Sequence, residues 1–349
     1  MDGKNTAEQV VTTGKHEIID IIKNKTIIKN PETFFGIGDD AAVCNFAGDE
    51  KTVISTDMFA EGIHFDLTYT PLKHLGYKVV VAGISDIYAM NAIPVQITVG
   101  LAISKRFGVA QIEEIYDGVA SACEFYGVDL IGGDLTSSLT GICISVTSIG
   151  KANAEDIVYR HGAKPTDLLC VTGDLGAAYI GLQLLEREKA VFEGNPNKQP
   201  QLDGYDYILR RQLKPETHKN LLTFFKKKDI KPTSMTDISA GLASEIISIC
   251  KESSLGCEIF EERLPIAEET EKMCREFNIP PVVAALNGGE DYEMLFTIAL
   301  KNYEKIKDNK LFSIIGSINA ADKGTNIVTR DGSILPLDQN SNLAMYENI

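Results

Sequence analysis

The sequence predicts a mixed α/β or α+β protein of two domains. Its 349 residues suggest two domains rather than one. Each half mixes short apolar runs typical of strands with stretches whose apolar residues recur at helical spacing. A polar stretch at 150–167 lies between the halves, and such punctuation often separates domains. We therefore predict domains at 1–152 and 153–349.

The first half is predicted to contain helices and strands in mixed order. Apolar stripes at helical spacing, one of them with Pro71 near its start, predict three helices. These helices are predicted at about 16–25, 71–90 and 110–126. Short apolar or alternating runs predict strands at 41–43, 52–57, 95–103, 128–131 and 142–149.

The second half is predicted to begin with a strand at 168–171, a glycine turn at 173–176 and a helix to about 185. That turn lacks the pattern of a Walker P-loop, and a simple strand-to-helix turn is an equally good interpretation. A polar segment at 193–204 predicts a surface loop. The remaining predictions are helices at 205–213, 216–227 and up to about 250, a strand at 294–298 and final strands within 312–335.

Composition narrows the classes of function. The net charge of −15 argues against a nucleic-acid surface and against binding to anionic membranes. The seven cysteines include no CxxC pair, so neither a zinc site nor a disulfide framework is indicated. The N-terminal residues lack the apolar core of a signal peptide, and no apolar run is long enough to span a bilayer. We expect a reduced, cytoplasmic protein.

The stretch from Gly36 to Asp57 carries the first candidate site. Asp39 and Asp40 follow two glycines, and a later apolar run ends in Ser55-Thr-Asp57. Carboxylate and hydroxyl oxygens at such positions suit Mg²⁺, which binds through a few carboxylates and substrate phosphates. Asx-turns that cap two strands are the alternative.

Acidic residues beside glycines or other small residues recur along the chain. They are Asp40 with Asp57, Asp86, Asp134, Asp237, and Glu290 with Asp291. Asp86 lies within an apolar run, where an unpaired carboxylate is unfavourable unless it is hydrogen-bonded or binds a metal. Singly, each motif is an ordinary turn. If they converge, divalent ions would relieve their repulsion and hold a polyphosphate, as phosphoryl transfer requires.

Together these motifs resemble the thiamine-monophosphate kinase family, within the superfamily of aminoimidazole ribonucleotide synthetase. The resemblance covers about 35–315. It rests on Gly36-x-Gly-Asp-Asp-Ala, Ser55-Thr-Asp57, Gly62-x-His64-Phe65, Ser85-Asp86, Gly132-Gly-Asp134, Arg160-x-Gly-Ala-Lys-Pro165, Asp237-x-Ser239 and Gly288-Gly-Glu-Asp-Tyr292.

The resemblance implies two synthetase-like domains, with the N-terminal domains pairing in a homodimer. It implies in-line transfer of the ATP γ-phosphoryl group to thiamine phosphate, with several magnesium ions and no general base. The implied metal ligands are Asp40, Ser55, Thr56, Asp57, Asp86, Asp134 and Asp237. The implied ATP contacts are Gly133, Asp134, Arg160 and Ser239, and the implied substrate contacts are His64, Glu290 and Tyr346. On local grounds alone, His64 also suits a loop histidine hydrogen-bonded to backbone.

One departure from the family pattern leaves alternatives open. The family typically has Asp-x-Ser-Asp-Gly, whereas this chain has Ala240 at the second Asp. The chain is therefore also compatible with a nucleotide-binding relative of impaired turnover. Another superfamily member is a further alternative, above all the synthetase of purine biosynthesis. A selenophosphate synthetase would need a reactive cysteine before Cys44, and the hydrogenase maturation protein a C-terminal cysteine; this chain has neither.

Overall fold

The computed structural model describes residues 33–35, 38–45, 49–195 and 197–337. The predicted helix at 16–25, the glycine Gly36 and the predicted substrate contact Tyr346 lie outside the described residues. No helix in the described ranges has the length and apolar character needed to span a bilayer.

The first sheet contains six strands in the order β1-β2-β3-β6-β4-β5. Its strands are β1 (Thr33–Phe35), β2 (Ala42–Cys44), β3 (Glu50–Ala60), β4 (Ile93–Ser104), β5 (Asp129–Ser138) and β6 (Ile142–Asn153). Only the β4–β5 pair among them is parallel, since helix α2 (Val109–Tyr126) connects these two strands. Alternate residues of β6, such as Val146 and Ser148, are buried on the face that helix α1 (Leu72–Ala89) covers.

Two glycines allow α1 and α2 to pack with their backbones in close contact. A Cβ at Gly76 would lie 1.9 Å from the Ile115 carbonyl oxygen, and one at Gly118 would lie 1.9 Å from that of Lys73. Larger residues would therefore separate the helices. Helix α1 is buried along most of its length, which explains its long apolar run.

The second sheet contains seven strands in the order β13-β12-β9-β11-β7-β10-β8. Its strands are β7 (Leu168–Thr172), β8 (Ser234–Asp237), β9 (Gly256–Phe260), β10 (Met294–Ile298), β11 (Phe312–Asn319), β12 (Thr325–Val328) and β13 (Ile334–Pro336). The helices around it are α3 (Ala177–Gly194), α4 (Asp206–Leu213), α5 (Asn220–Lys228), α6 (Leu242–Ser253), α7 (Glu268–Phe277), α8 (Pro281–Asn287) and α9 (Tyr303–Ile306). Three-residue 3₁₀ segments lie at Glu261–Arg263, Leu300–Asn302 and Ala321–Lys323.

The two sheets share one apolar core along helix α1. Val79 and Val80 of α1 belong to the same buried cluster as Met235 of β8 and Tyr292 before β10. Helix α1 therefore lies where the two halves of the chain meet. Lys78 and Ser85 of α1, for example, both hydrogen-bond residues of the second half.

The predicted mixed α/β class is confirmed, while two local predictions were wrong. Asp57, predicted at a strand end, lies inside β3, which continues to Ala60 in register with β6. The pair Gly132-Gly133, predicted at a turn or a phosphate loop, lies inside β5. A Cβ at Gly133 would lie 1.9 Å from the Val99 carbonyl oxygen. The close approach of β4, rather than a turn, therefore requires this glycine.

Smaller differences concern helix bounds. Helix α3 continues past the predicted end near 185 to Gly194, so the polar loop after it is shorter than predicted. The helix predicted at 216–227 begins only at Asn220.

Candidate functional site

Three carboxylates from distant parts of the chain meet beside helix α1. Asp40 precedes β2, Asp86 lies in the last turn of α1, and Asp237 ends β8. Each offers an oxygen, and these oxygens lie within 4.8 Å of one another. We call these three residues the carboxylate cluster. Asp40 and Asp237 are buried, while Asp86 keeps some exposure.

Two serines fix the orientation of the carboxylate cluster. The Ser55 hydroxyl of β3 hydrogen-bonds Asp86 Oδ2, and the Ser85 hydroxyl lies 2.5 Å from Asp237 Oδ2. Ser85 is fully buried and precedes Asp86 on α1. One turn of α1 thus carries one of the three carboxylates and orients a second.

The charges in the carboxylate cluster oppose one another. Burial, and then the charge of Asp40, raises the pKa of Asp237 to about 8. Burial, followed by the charges of Asp57 and Asp237, raises the pKa of Asp86 well above its ordinary value. Asp57 therefore also lies close enough to act on the cluster electrostatically.

The donor set fits a magnesium ion. All donors are hard oxygens, and two ligands on opposite sides of Mg²⁺ are about 4.2 Å apart. The carboxylate oxygens lie no more than 4.8 Å apart, so at most a small inward movement is needed to match this spacing. A divalent cation would also remove the repulsion that raises these pKa values.

Arg160 lies beside Asp40 and offsets the negative charge of its carboxylate. Its guanidinium contacts both oxygens of Asp40, at 2.5 and 3.1 Å, and its backbone N–H donates to Asp39 at 3.0 Å. The Thr236 hydroxyl donates to Asp40 at 3.1 Å. Burial, followed by the charge of Asp40, raises the pKa of Asp39 to about 7. Arg160 thus holds Asp40 in place at the boundary of the two halves.

Glu290 lies near the carboxylate cluster, because its N–H donates to the carbonyl of Ser239, two residues after Asp237. Its carboxylate forms an ion pair of 3.0 Å with Lys78 of α1 and accepts a hydrogen bond of 3.2 Å from Gln212 of α4. Burial raises the pKa of Tyr292, and the charges of Glu290 and Asp57 raise it further. Tyr292 therefore lies near both Glu290 and the acidic residues around the carboxylate cluster.

Several predicted site residues lie apart from the carboxylate cluster. The Thr56 hydroxyl lies 2.9 Å from that of Thr147, on the other side of β3 from Ser55 and Asp57. Gly133 and Asp134 lie in β5 at the exposed edge of the first sheet, and Asp134 is not part of the group.

Two further predicted site residues, His64 and Ser239, are exposed. His64 Nδ1 accepts the Ala60 N–H at 3.1 Å, which is the local alternative that its sequence context left open. The exposed Ser239 hydroxyl lies 3.5 Å from Asp237 Oδ1, and Ala240 follows it at the surface.

Sequence reasoning assigned no role to Lys78, Ser85, Gln212 and Thr236, although Ser85 belongs to one of the motifs. Two of them carried a signal, because Lys78 is a charge and Ser85 a hydroxyl inside an otherwise apolar run. Gln212 and Thr236 have no such signal, because their partners, Glu290 and Asp40, are distant in sequence.

Comparison with known proteins gives a concordant result. Residues 38–152 match the family described as AIR synthase related protein, N-terminal domain. The thiamine-monophosphate kinase of Bacillus subtilis (strain 168) is 34% identical over 275 residues, covering 78% of this chain and 80% of the relative. That of Aquifex aeolicus (strain VF5) is 32% identical over 284 residues, covering 81% and 85%. A solved structure of AaThiL complexed with AMPPCP and TMP superposes with a TM-score of 0.77 at 28% identity, covering 92% of this chain and 94% of the other.

Proposed function

This chain belongs to the thiamine-monophosphate kinase family, and we propose that it transfers the γ-phosphoryl group of ATP to thiamine phosphate, forming thiamine diphosphate and ADP. The observation that carries this proposal is the convergence of Asp40, Asp86 and Asp237 within 4.8 Å. Support also comes from the solved relative named as a complex with AMPPCP and TMP.

The residues of the carboxylate cluster and their neighbours would act by binding magnesium ions and by positioning the substrates. Asp40, Asp86 and Asp237, with Asp57 and Ser55 beside them, would hold magnesium ions. Magnesium, when bound, orients the polyphosphate and neutralises the charge that develops during transfer. The acceptor phosphate is already anionic at neutral pH, so direct in-line transfer needs no general base from the protein.

Binding of the two substrates is assigned to different residues around the carboxylate cluster. Arg160 and Ser239, which lie next to Asp40 and Asp237, would contact ATP. Glu290 and His64 would contact thiamine phosphate. The exposed Asp134 would take part only if ligand binding or a second subunit brings β5 to the nucleotide.

We further propose that two copies of the chain pair through β5. The edge strand exposes Ile131 by 53% and Leu135 by 58%, and Leu139 beyond it is fully exposed. An apolar edge strand of this kind is unfavourable in water unless it is covered. A Leu135→Asp variant should elute as a monomer in size-exclusion chromatography with light scattering, whereas wild-type protein should elute as a dimer. A monomeric wild-type protein would exclude this pairing.

Product analysis tests the kinase proposal. Wild-type protein with ATP, thiamine phosphate and Mg²⁺ should release ADP and thiamine diphosphate in equal amounts, and no product should form in EDTA. Formylglycinamidine ribonucleotide in place of thiamine phosphate should give no ADP. Turnover with that acceptor alone would instead favour the synthetase alternative.

Ala240 supports a second candidate function, a nucleotide-binding protein with impaired turnover. One ligand that the family pattern carries is replaced here by a methyl group. Tight, Mg²⁺-dependent ATP binding without ADP release in the same product assay would favour this candidate.

A further inference from the structure

A buried lysine of α1 forms an ion pair with Glu290, which is proposed to contact the acceptor substrate. The Lys78 side chain is only 4% exposed. Its ammonium donates to Glu290 Oε2 at 3.0 Å and to the main-chain carbonyl of Gln212 at 3.1 Å. Lys78 belongs to the first half of the chain, and both partners belong to the second. The lysine therefore links the two halves of the chain beside Glu290.

The hydrogen bonds around Glu290 are unequally divided between its two oxygens. Lys78 Nζ and Gln212 Nε2 both donate to Oε2, at 3.0 and 3.2 Å. Among the described residues, no side chain or backbone N–H donates to Oε1. The Glu290 side chain is 24% exposed. The buried Gln212 Oε1 also has no hydrogen-bond partner within the described part of the chain. Glu290 Oε1 thus remains available to a ligand.

The backbone holds Glu290 in an unusual conformation that favours this arrangement. Glu290 has a φ of +57°, a region that non-glycine residues rarely adopt. Its N–H donates to the Ser239 carbonyl at 2.8 Å, beside the carboxylate cluster. Backbone and side chain are therefore both fixed before any ligand binds.

The spacing along α1 matches a small phosphorylated acceptor. Lys78 and Ser85 lie seven residues apart, on one face of the helix and about 10 Å apart along its axis. Ser85 orients Asp237 of the carboxylate cluster, while Lys78 orients Glu290. A substrate whose phosphate lies at the carboxylate cluster would present its organic part to Glu290.

We propose that Lys78, assisted by Gln212, is a positioning residue for the acceptor substrate: it fixes one oxygen of Glu290 so that the other faces the acceptor. This inference rests on the proposed kinase function. It assigns Lys78 a role in binding thiamine phosphate and none in binding ATP.

Steady-state kinetics of Lys78→Met, Lys78→Arg and the control Lys151→Met test this role. Lys151 forms an exposed ion pair with Glu50, so its loss controls for removing a lysine. Lys78→Met should raise KM for thiamine phosphate about tenfold, change KM for ATP less than about twofold, and leave kcat within about threefold. Lys78→Arg should recover most of the loss, and Lys151→Met should match the wild type.

Two results would overturn the inference. One is an unchanged KM for thiamine phosphate in Lys78→Met, and the other is an equal rise of both KM values, which a general structural role would produce. If Lys78→Met does not fold, Gln212→Met removes the second donor to Oε2 and should raise KM for thiamine phosphate about threefold, with no change overturning the inference. Absence of product with the wild-type protein would instead refute the kinase proposal itself.

Discussion

Removing one negative charge from the carboxylate cluster tests whether these residues are arranged for a cation rather than for stability. In Asp86→Asn, the amide keeps the shape of the side chain and can still accept the Ser55 hydroxyl. It no longer places a charge beside Asp40 and Asp237. We expect the metal-free variant to be more stable than the wild-type protein, although it should lose function.

The size of the effect follows from the geometry. Two unit charges no more than 4.8 Å apart repel by at least about 3 kcal/mol at an effective dielectric constant of ~20. Because burial and neighbouring carboxylates raise the pKa of Asp86, its native form keeps its proton at a pH where the unfolded chain loses it. Wild-type stability therefore falls as the pH rises from about 4. The variant should gain about 2 kcal/mol at about pH 9 and almost nothing below about pH 4.

Thermal unfolding in EDTA and in saturating Mg²⁺ measures this effect. At about pH 9, the metal-free variant should melt about 4 °C above the wild type. Magnesium at about 100 times its Kd should stabilise the wild type by about 2.7 kcal/mol and leave the variant unchanged. The exposed Asp322→Asn serves as control and should shift stability by less than about 0.5 kcal/mol. A variant that is less stable in EDTA, or that keeps the full magnesium response, would refute this reasoning.

Three further substitutions address other parts of the site. Ala240→Asp restores the carboxylate of the family pattern and should tighten Mg²⁺ binding and raise turnover, as measured by rates over a magnesium titration. Arg160→Met leaves the buried Asp40 carboxylate without its cation and should destabilise the protein by about 3–5 kcal/mol in urea unfolding. Burial acts to lower the pKa of His218, but the hydrogen bond and charge of Glu293 outweigh it and raise that pKa. The stability that protonated His218 contributes is thus fully present below about pH 6.5 and is lost as the pH rises through the raised pKa. Thermal unfolding of His218→Gln, measured across pH, should lack this decline.

Each of these expectations has a result that contradicts it. Unchanged kinetics of Ala240→Asp over the magnesium titration would show that no ligand is missing at that position. For Arg160, Arg330→Met is the control, because Arg330, which pairs with Glu261, is itself 66% exposed. Equal effects of both substitutions would contradict the importance of burial. For His218, parallel stability curves of variant and wild type across pH would show that its charge does not stabilise the fold.

The fold could largely be predicted from the sequence because local periodicity and burial agree in most elements. Helix α1 is an example, since its apolar run with small residues matches its buried surroundings. The Gly132-Gly133 segment could not be predicted correctly, because the same residues suit a turn. The requirement for glycine at that position comes from the Val99 carbonyl of a neighbouring strand, which sequence alone does not place.

The candidate site could be predicted only in part. Recurring acidic motifs indicated which carboxylates to consider, and the structure brings Asp40, Asp86 and Asp237 together. The pairing of Lys78 with Glu290 joins residues 212 positions apart, and no local pattern connects them. Such contacts depend on how the two halves of the chain pack.

The central claim is that the carboxylate cluster binds the polyphosphate through magnesium. Calorimetric titration with a non-hydrolysable ATP analogue, with and without Mg²⁺, tests this most directly in the wild type and in Asp86→Asn. We predict heat of binding only for wild-type protein with magnesium. Equal binding in EDTA, or undiminished magnesium-dependent binding by Asp86→Asn, would contradict the claim.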